Sequence, residues 1–355
     1  MAHEITVRRD GTAEAAFAMK PAWHGLGVVF DHPMTTTDAL TGAHLDWSVI
    51  QREVAMVVPE GEYTRYPRIP GLRANCRSDN GLPLGVVSDQ YKVVQNVEAF
   101  AFLDKLIENQ EMQYESAFSI RDGRVVVLLG RLPGKDTIVP GDDSLRYVLL
   151  SLTHDGTGAI RFGPCAERVV CANTYAMAIG EGNTREFSIR HTGNIDQKLG
   201  QARAILTQAN KAFDDYAPHA KALAQHTMTH VEWDQYLDIL CPVPDPKDPD
   251  WTEERAKRIS DTREKIAYAY LLSEAQRVPG VERTAWAAFN AVTEHIDHLP
   301  RRGATVQAKA EARFNVALYG PGRDMKERAF QTACRFAEPE LALEMAIANT
   351  PALAG

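Results

Sequence analysis

YESAFSIRDGRVVVLLGRL (Tyr114–Leu132) and, a dozen residues on, LRYVLLSLTHDGTGAIRFG (Leu145–Gly163) decide the fold. Each is a β-branched and aromatic run broken by Asp-Gly, at Asp122-Gly123 and Asp155-Gly156, the dipeptide that supplies the positive φ a tight hairpin needs. Working outward, Asp79-Asn80-Gly81 precedes another such run, Leu84 to Val94. From Asp46 to about Arg190 the pattern is a meander of antiparallel strands, not an alternating strand-helix series. Two helices are expected within it. The first covers Val97 to Asn109, with Asn96 as N-cap and Phe100, Leu103, Leu106 and Ile107 on one face. The second covers Glu167 to Ile179, with Val169, Cys171, Ala172, Tyr175, Ala176 and Ile179 forming an Ala-rich face and Gly180 ending it. A long hairpin is thus expected to lead into a helix packed across its own sheet.

After His191-Thr192-Gly193 the spacing changes. Asn194 with Gln197 resembles a capping box, and Ile195, Leu199, Ala202, Leu206, Ala209 and Phe213 follow at helical intervals. Cys241 to Asp250 holds four prolines in ten residues and is expected to be an irregular connector. Thr252 is placed to cap a further helix, and from Thr284 another helix stacks Trp286, Phe289, Val292 and Ile296 on one side. The fold class expected is therefore α+β: a sheet-rich region over residues 1–192 and a mainly helical region over 193–355, with the connector at 241–250.

Composition narrows the function. The 355 residues carry a net charge of −8, with 45% hydrophobic and 24% charged residues, the profile of an ordinary packed protein without the basic excess of one that coats nucleic acid by charge alone. No apolar run approaches the roughly 18 residues needed to span a bilayer, and no signal-like block follows Met1, so the expectation is a cytoplasmic protein with no membrane partner. The five cysteines are scattered and form no CxxC pair, which argues against a disulfide framework or a zinc ribbon. His295 and His298 stand at i,i+3 without the intervening Glu of a zinc hydrolase or a visible third ligand. No metal and no cofactor is expected. Trp23-His24-Gly25-Leu26-Gly27 suits the anchor of an N-terminal arm better than a pocket lining. His154, Cys171 and His191 can be drawn as a catalytic constellation, yet no nucleophile elbow, phosphate loop or dinucleotide fingerprint accompanies them.

Arginine carries the more telling pattern. From Arg121 to Arg190 there are eight arginines against one lysine, Lys135. Eight acidic residues share the stretch but gather at turns, whereas Arg124, Arg146, Arg161 and Arg168 fall in strands or at the start of the expected helix, where one face could grip phosphates bidentately. Ordinary surface charge is the competing reading. A second basic segment, residues 301–335, holds eight basic residues against three acidic ones.

HDGTGAIRFGPCAERVVCANT (His154–Thr174), SIRHTGN (Ser188–Asn194), WHGLG (Trp23–Gly27), SDQYKVVQN (Ser88–Asn96) and TAWAAFNAV (Thr284–Val292) together resemble a family of phage- and plasmid-encoded proteins catalogued as a domain of unknown function. The resemblance implies mobile-element biology. Hairpins followed by a crossing helix are similar to the core of the phage single-strand annealing proteins of the RecT and Erf type, a likeness of topology alone. The expectation that follows is a non-enzymatic single-stranded DNA-binding and annealing protein of recombination, acting as a homo-oligomer such as a ring. Its DNA contacts are expected at Arg121, Arg124, Arg146, Arg161, Arg168, Arg190 and Lys198, with secondary contacts at Arg323, Lys326 and Arg328. The rivals are an enzyme of mobile-element or nucleotide metabolism working through His154, Cys171 and His191, and a structural protein that binds no nucleic acid.

Overall fold

The computed structural model describes residues 5–19, 26–108, 110–158, 160–168, 173–176, 187–189, 202–298 and 321–338. Its centre is a large sheet. The long strands β8 (Gln113–Ile120), β9 (Val125–Val139), β10 (Asp142–Thr153) and β11 (Ile160–Arg168) pair antiparallel in sequence order. The Asp-Gly hairpins thus lie where the sequence puts them; Asp122 and Gly123 both take positive φ. At one edge β12 (Asn173–Ala176) and β13 (Phe187–Ile189) both pair with β11. At the other, β1 (Ala15–Ala18) adds antiparallel to β8, and β2 (Val28–Phe30) adds parallel to β1, the one parallel pairing in the described sheet.

Where the span Glu167–Ile179 is described, strand replaces the expected helix. Glu167 and Arg168 end β11, and Asn173–Ala176 returns as a strand in register with Cys165–Arg168. Ladder pairing at the sheet edge overrides a helical spacing that was readable for only a few residues, and Thr174-Tyr175 are strand formers in any case. The element packed across the sheet comes from later in the chain. Helix α3 (Ala202–Gln225) lays Leu206, Ala209, Phe213 and Leu223 toward Val126, Leu128, Val148, Leu150 and Phe162 within one core. Four later helices follow, α4 (His230–Leu240), α5 (Glu253–Leu272), α6 (Ala285–His298) and α7 (Pro321–Ala337): α6 and α7 pack on α3, α4 packs on α7 and α5 on α6. Thr252 caps α5 by accepting from Arg255 N, and residues 242–252 form neither helix nor strand, both as expected. Trp286, Phe289, Val292 and Ile296 are all buried, and Trp286 Nε1 donates to buried Asp142 at 2.8 Å, tying α6 to β10. A single core runs from Ala16 to Cys334, so the sheet-rich and helical segments share it.

A second, three-stranded sheet stands on the first, with β3 (Val49–Ala55), β6 (Arg68–Arg77) and β7 (Pro83–Ser88) in the order β3-β6-β7. Its base is fixed by polar groups as much as by apolar ones. Arg77 and Glu14 are buried and doubly bonded, Nη2 to Oε1 at 2.6 Å and Nη1 to Oε2 at 3.1 Å, while Ser119 also donates to Glu14. Arg77 lies 4.3 Å above the Trp47 ring, which meets His154 edge-on. Helix α2 (Asn96–Glu108) buries Phe100 and Leu103 as expected, but Asn96 does not cap it. Its amide donates to Leu45 O at 2.9 Å, which leaves Oδ1 to accept from His154 Nε2 at 2.8 Å. Close packing completes the junction: a Cβ on Gly85 would fall 2.4 Å from Asp155 O.

Candidate nucleic-acid interface

Among the described residues, the arginines expected to form one face of the large sheet do not all share a face. In the β10–β11 ladder Arg146 stands opposite Ala166 and Arg161 opposite Ser151, so the two alternate to opposite faces of the sheet. Arg146 lies on the helix side, where Nε and Nη2 hold Asp136 at 2.8 and 2.7 Å, Nη1 holds Asp214 at 3.0 Å, and the guanidinium covers the Phe213 ring. These bonds hold its guanidinium above its ordinary pKa, chiefly through Asp136. Its guanidinium is thus committed to two carboxylates within the fold. Arg161 is half-buried on the outer face, Arg168 pairs with Ser144 at the end of β11, and Arg121 is half-buried at φ +55° in the turn before exposed Arg124. Arg190 and Lys198 lie outside the described residues, as do Cys171 and His191.

The second basic segment also divides. Lys326 is 1% exposed and bonded to Asp297, clasping α7 to α6, whereas Arg323 is half-buried and Arg328 exposed. Lys326 is thus buried in an ion pair between two helices, away from solvent. His154, the described member of the catalytic constellation, is fully buried between Asn96 and Trp47. Among the described residues no three His, Cys, Asp or Glu side chains converge as metal ligands, and no helix is long and apolar enough to cross a membrane.

What the structure brings together instead is a ribbon of exposed aromatics and arginines that the sequence pattern did not single out. Strands β3 and β6 run past β7, and the ladder continues through Met56 N to Pro67 O into the small hairpin β4 (Val58–Glu60) and β5 (Tyr63–Arg65), turned at Gly61 with φ +61°. The segment QREVAMVVPEGEYTRYPRIPGLR (Gln51–Arg73) thus forms an arm extending from the three-stranded sheet. Tyr63 is 78% exposed and Tyr66 67%, with Met56 and Val57 also open to solvent. Interleaved with them are Arg52, Arg65, Arg68 and Arg73. Among the described residues the acids that pair with these arginines are exposed too: Glu53 lies 3.1 Å from Arg68 and 3.7 Å from Arg73, and Glu60 is bonded to Arg65. Exposed pairs of this kind contribute roughly 0–1 kcal/mol and exchange readily for another anion. Signs of the arm were present in the sequence: Tyr63 and Tyr66 spaced among Arg65 and Arg68, prolines at 67 and 70 that suit an edge, and no apolar alternation to bury either face.

A family described as domain of unknown function DUF932 matches residues 83–319, which is 237 of the 355 residues and takes in β7 through α6; the arm precedes it. No curated protein and no solved structure matches the chain.

Proposed function

The chain belongs to the DUF932 family, whose function is unknown, and from the exposed arm we propose that it is a non-enzymatic single-stranded DNA-binding protein that anneals strands in phage or plasmid recombination. The observation that carries this reading is the pairing of Tyr63 and Tyr66, both open to solvent, with the arginines between and beside them. Bases stack on aromatic rings in any sequence, each contributing about 1–3 kcal/mol, while guanidiniums track the phosphates. A protruding ribbon suits a single strand because it reaches bases that a duplex keeps stacked inside. Only the bases on the tyrosines are held; their neighbours along the strand remain free to test a complementary strand. Assembly into a homo-oligomer is part of this reading. It is supported by the apolar side chains of Tyr268, Leu271 and Leu272 left exposed at the end of α5, since the Trp286 stripe is consumed by the core.

The test is titration of a fluorescent oligothymidylate at several salt concentrations, with sedimentation of the same samples to read assembly. Tyr63→Ala with Tyr66→Ala is expected to weaken binding by about tenfold or more. Arg65→Ala and Arg68→Ala are each expected to lower the salt slope by about 0.7. Unchanged affinity in the tyrosine pair, with an unchanged slope in the arginine variants, would remove the arm as the interface.

A further inference from the structure

We infer that a cleft on the opposite end of β6 from the arm binds a terminal phosphate group. The cleft, about 410 Å³, lies where the N-terminal turn, the β6–β7 turn and the β8–β9 turn meet, and its lining includes Thr6, Arg8, Arg9, Asp10, Glu14 and Asp122. Several groups in its wall already have partners. Glu14 is held by Arg77 and Ser119, Arg77 has every N–H engaged by Glu14, Asp79 and the Asp122 carbonyl, and Asp10 accepts from both the amide and the hydroxyl of Thr12.

Uncommitted groups remain, and they are donors. Arg8 and Arg9 line the cleft with no side-chain hydrogen bond or ion pair among the described residues, Arg8 lying close enough to Asp10 and Asp79 to lower their pKa through its charge. The Thr6 hydroxyl has no partner although Thr6 is only 4% exposed. A buried hydroxyl left unpaired is costly unless something occupies its direction. Two arginines and a buried, unpartnered hydroxyl lining one cleft suit a ligand rich in acceptor oxygens, and a tetrahedral phosphate presents them in several directions at once. The carboxylates of Asp10 and Asp122 at the mouth limit how much negative charge the cleft tolerates. A single phosphate fits that balance; a polyphosphate does not. The group can come from a phosphorylated small molecule or from the 5′ end of a DNA strand, and the two are separable.

The experiment is ³¹P NMR of inorganic phosphate titrated with the full-length protein. Saturable broadening is expected, and Arg8→Gln with Arg9→Gln should weaken it by about tenfold or more, as for loss of charge-assisted bonds. Thr6→Val should weaken it about threefold while leaving the melting temperature unchanged or higher, because the methyl replaces a hydroxyl that has no partner in the unliganded protein. A drop in melting temperature would make Thr6 merely structural. Absence of broadening, or equal broadening by wild type and the arginine double variant, would overturn the site. Oligothymidylates with a 5′-phosphate or a 5′-hydroxyl identify the source. Tighter binding of the phosphorylated strand, lost in the double variant, assigns the strand end. Equal binding of both strands, with inorganic phosphate still bound, assigns a small molecule. Phosphate binding is read without DNA and should survive Tyr63→Ala with Tyr66→Ala, so failure of the annealing reading and failure of this site are independent results.

Discussion

Arg77 shows how one side chain holds a junction. Its five N–H groups are all engaged, two by Glu14, two by Asp79 and one by the Asp122 carbonyl, and its guanidinium plane lies on Trp47. Such a buried pair is weak evidence of net stabilisation, because desolvating both charges offsets most of their attraction. Removing one partner is another matter. Arg77→Leu would leave the Glu14 carboxylate buried with only Ser119 to bond it, and is expected to destabilise the fold by about 3–5 kcal/mol in urea denaturation. Adding Glu14→Gln should restore part of that loss. A cost under about 1 kcal/mol for the single change would mean that water reaches Glu14 readily. None of this was legible in the sequence: Glu14 and Arg77 are 63 residues apart, and only the docking of β6 beside β1 and β8 brings them together.

At the scale of elements, the hairpins from Gln113 to Thr153 were readable because turn chemistry and β-branched runs agree there, and α6 because four large apolar residues repeat at helical spacing. The segment after Arg168 was misread because a short apolar run fits either period, and the decision falls to edge pairing with β11, a nonlocal contact. The arm escaped notice for the opposite reason. Sequence reading looks for burial, and the arm buries little. That same lack predicts its independence: replacing Val58–Arg65 by a two-residue Asn-Gly turn should alter unfolding free energy by no more than about 0.5 kcal/mol, as for surface changes generally, while weakening oligothymidylate binding through the loss of Tyr63 and Arg65. Substantial loss of stability on trimming would show that the tip supports the three-stranded sheet, and the arm could then not be a free probe.

Across the whole molecule, Glu167 registers how sheet and helices meet. It sits near the end of β11, and burial first, then the carboxylates of Glu115 on β8 and Asp297 on α6, push its carboxyl up to about 7 against the opposing pull of Arg131. The folded protein therefore holds this proton more tightly than the unfolded chain does. Stability from this group is full below about 4.5, the unfolded value, and is lost as pH rises toward 7. The contribution is on the order of 1 kcal/mol once partial exposure is allowed for. Thermal melts at pH 5 and pH 8 should accordingly differ less for Glu167→Gln than for wild type; an equal difference would place the pH dependence elsewhere. The strand order carries one more consequence, for synthesis. Phe17 on β1 pairs with Ser116 on β8, 99 residues further along, and β2 pairs with β1 alone. At ribosomal rates of ~5–20 residues per second, β1 waits about 5–20 s before its partner exists. The β8–β9 hairpin can close as soon as it emerges, so the sheet assembles from its middle outward, and the strands made first are among the last to find their place.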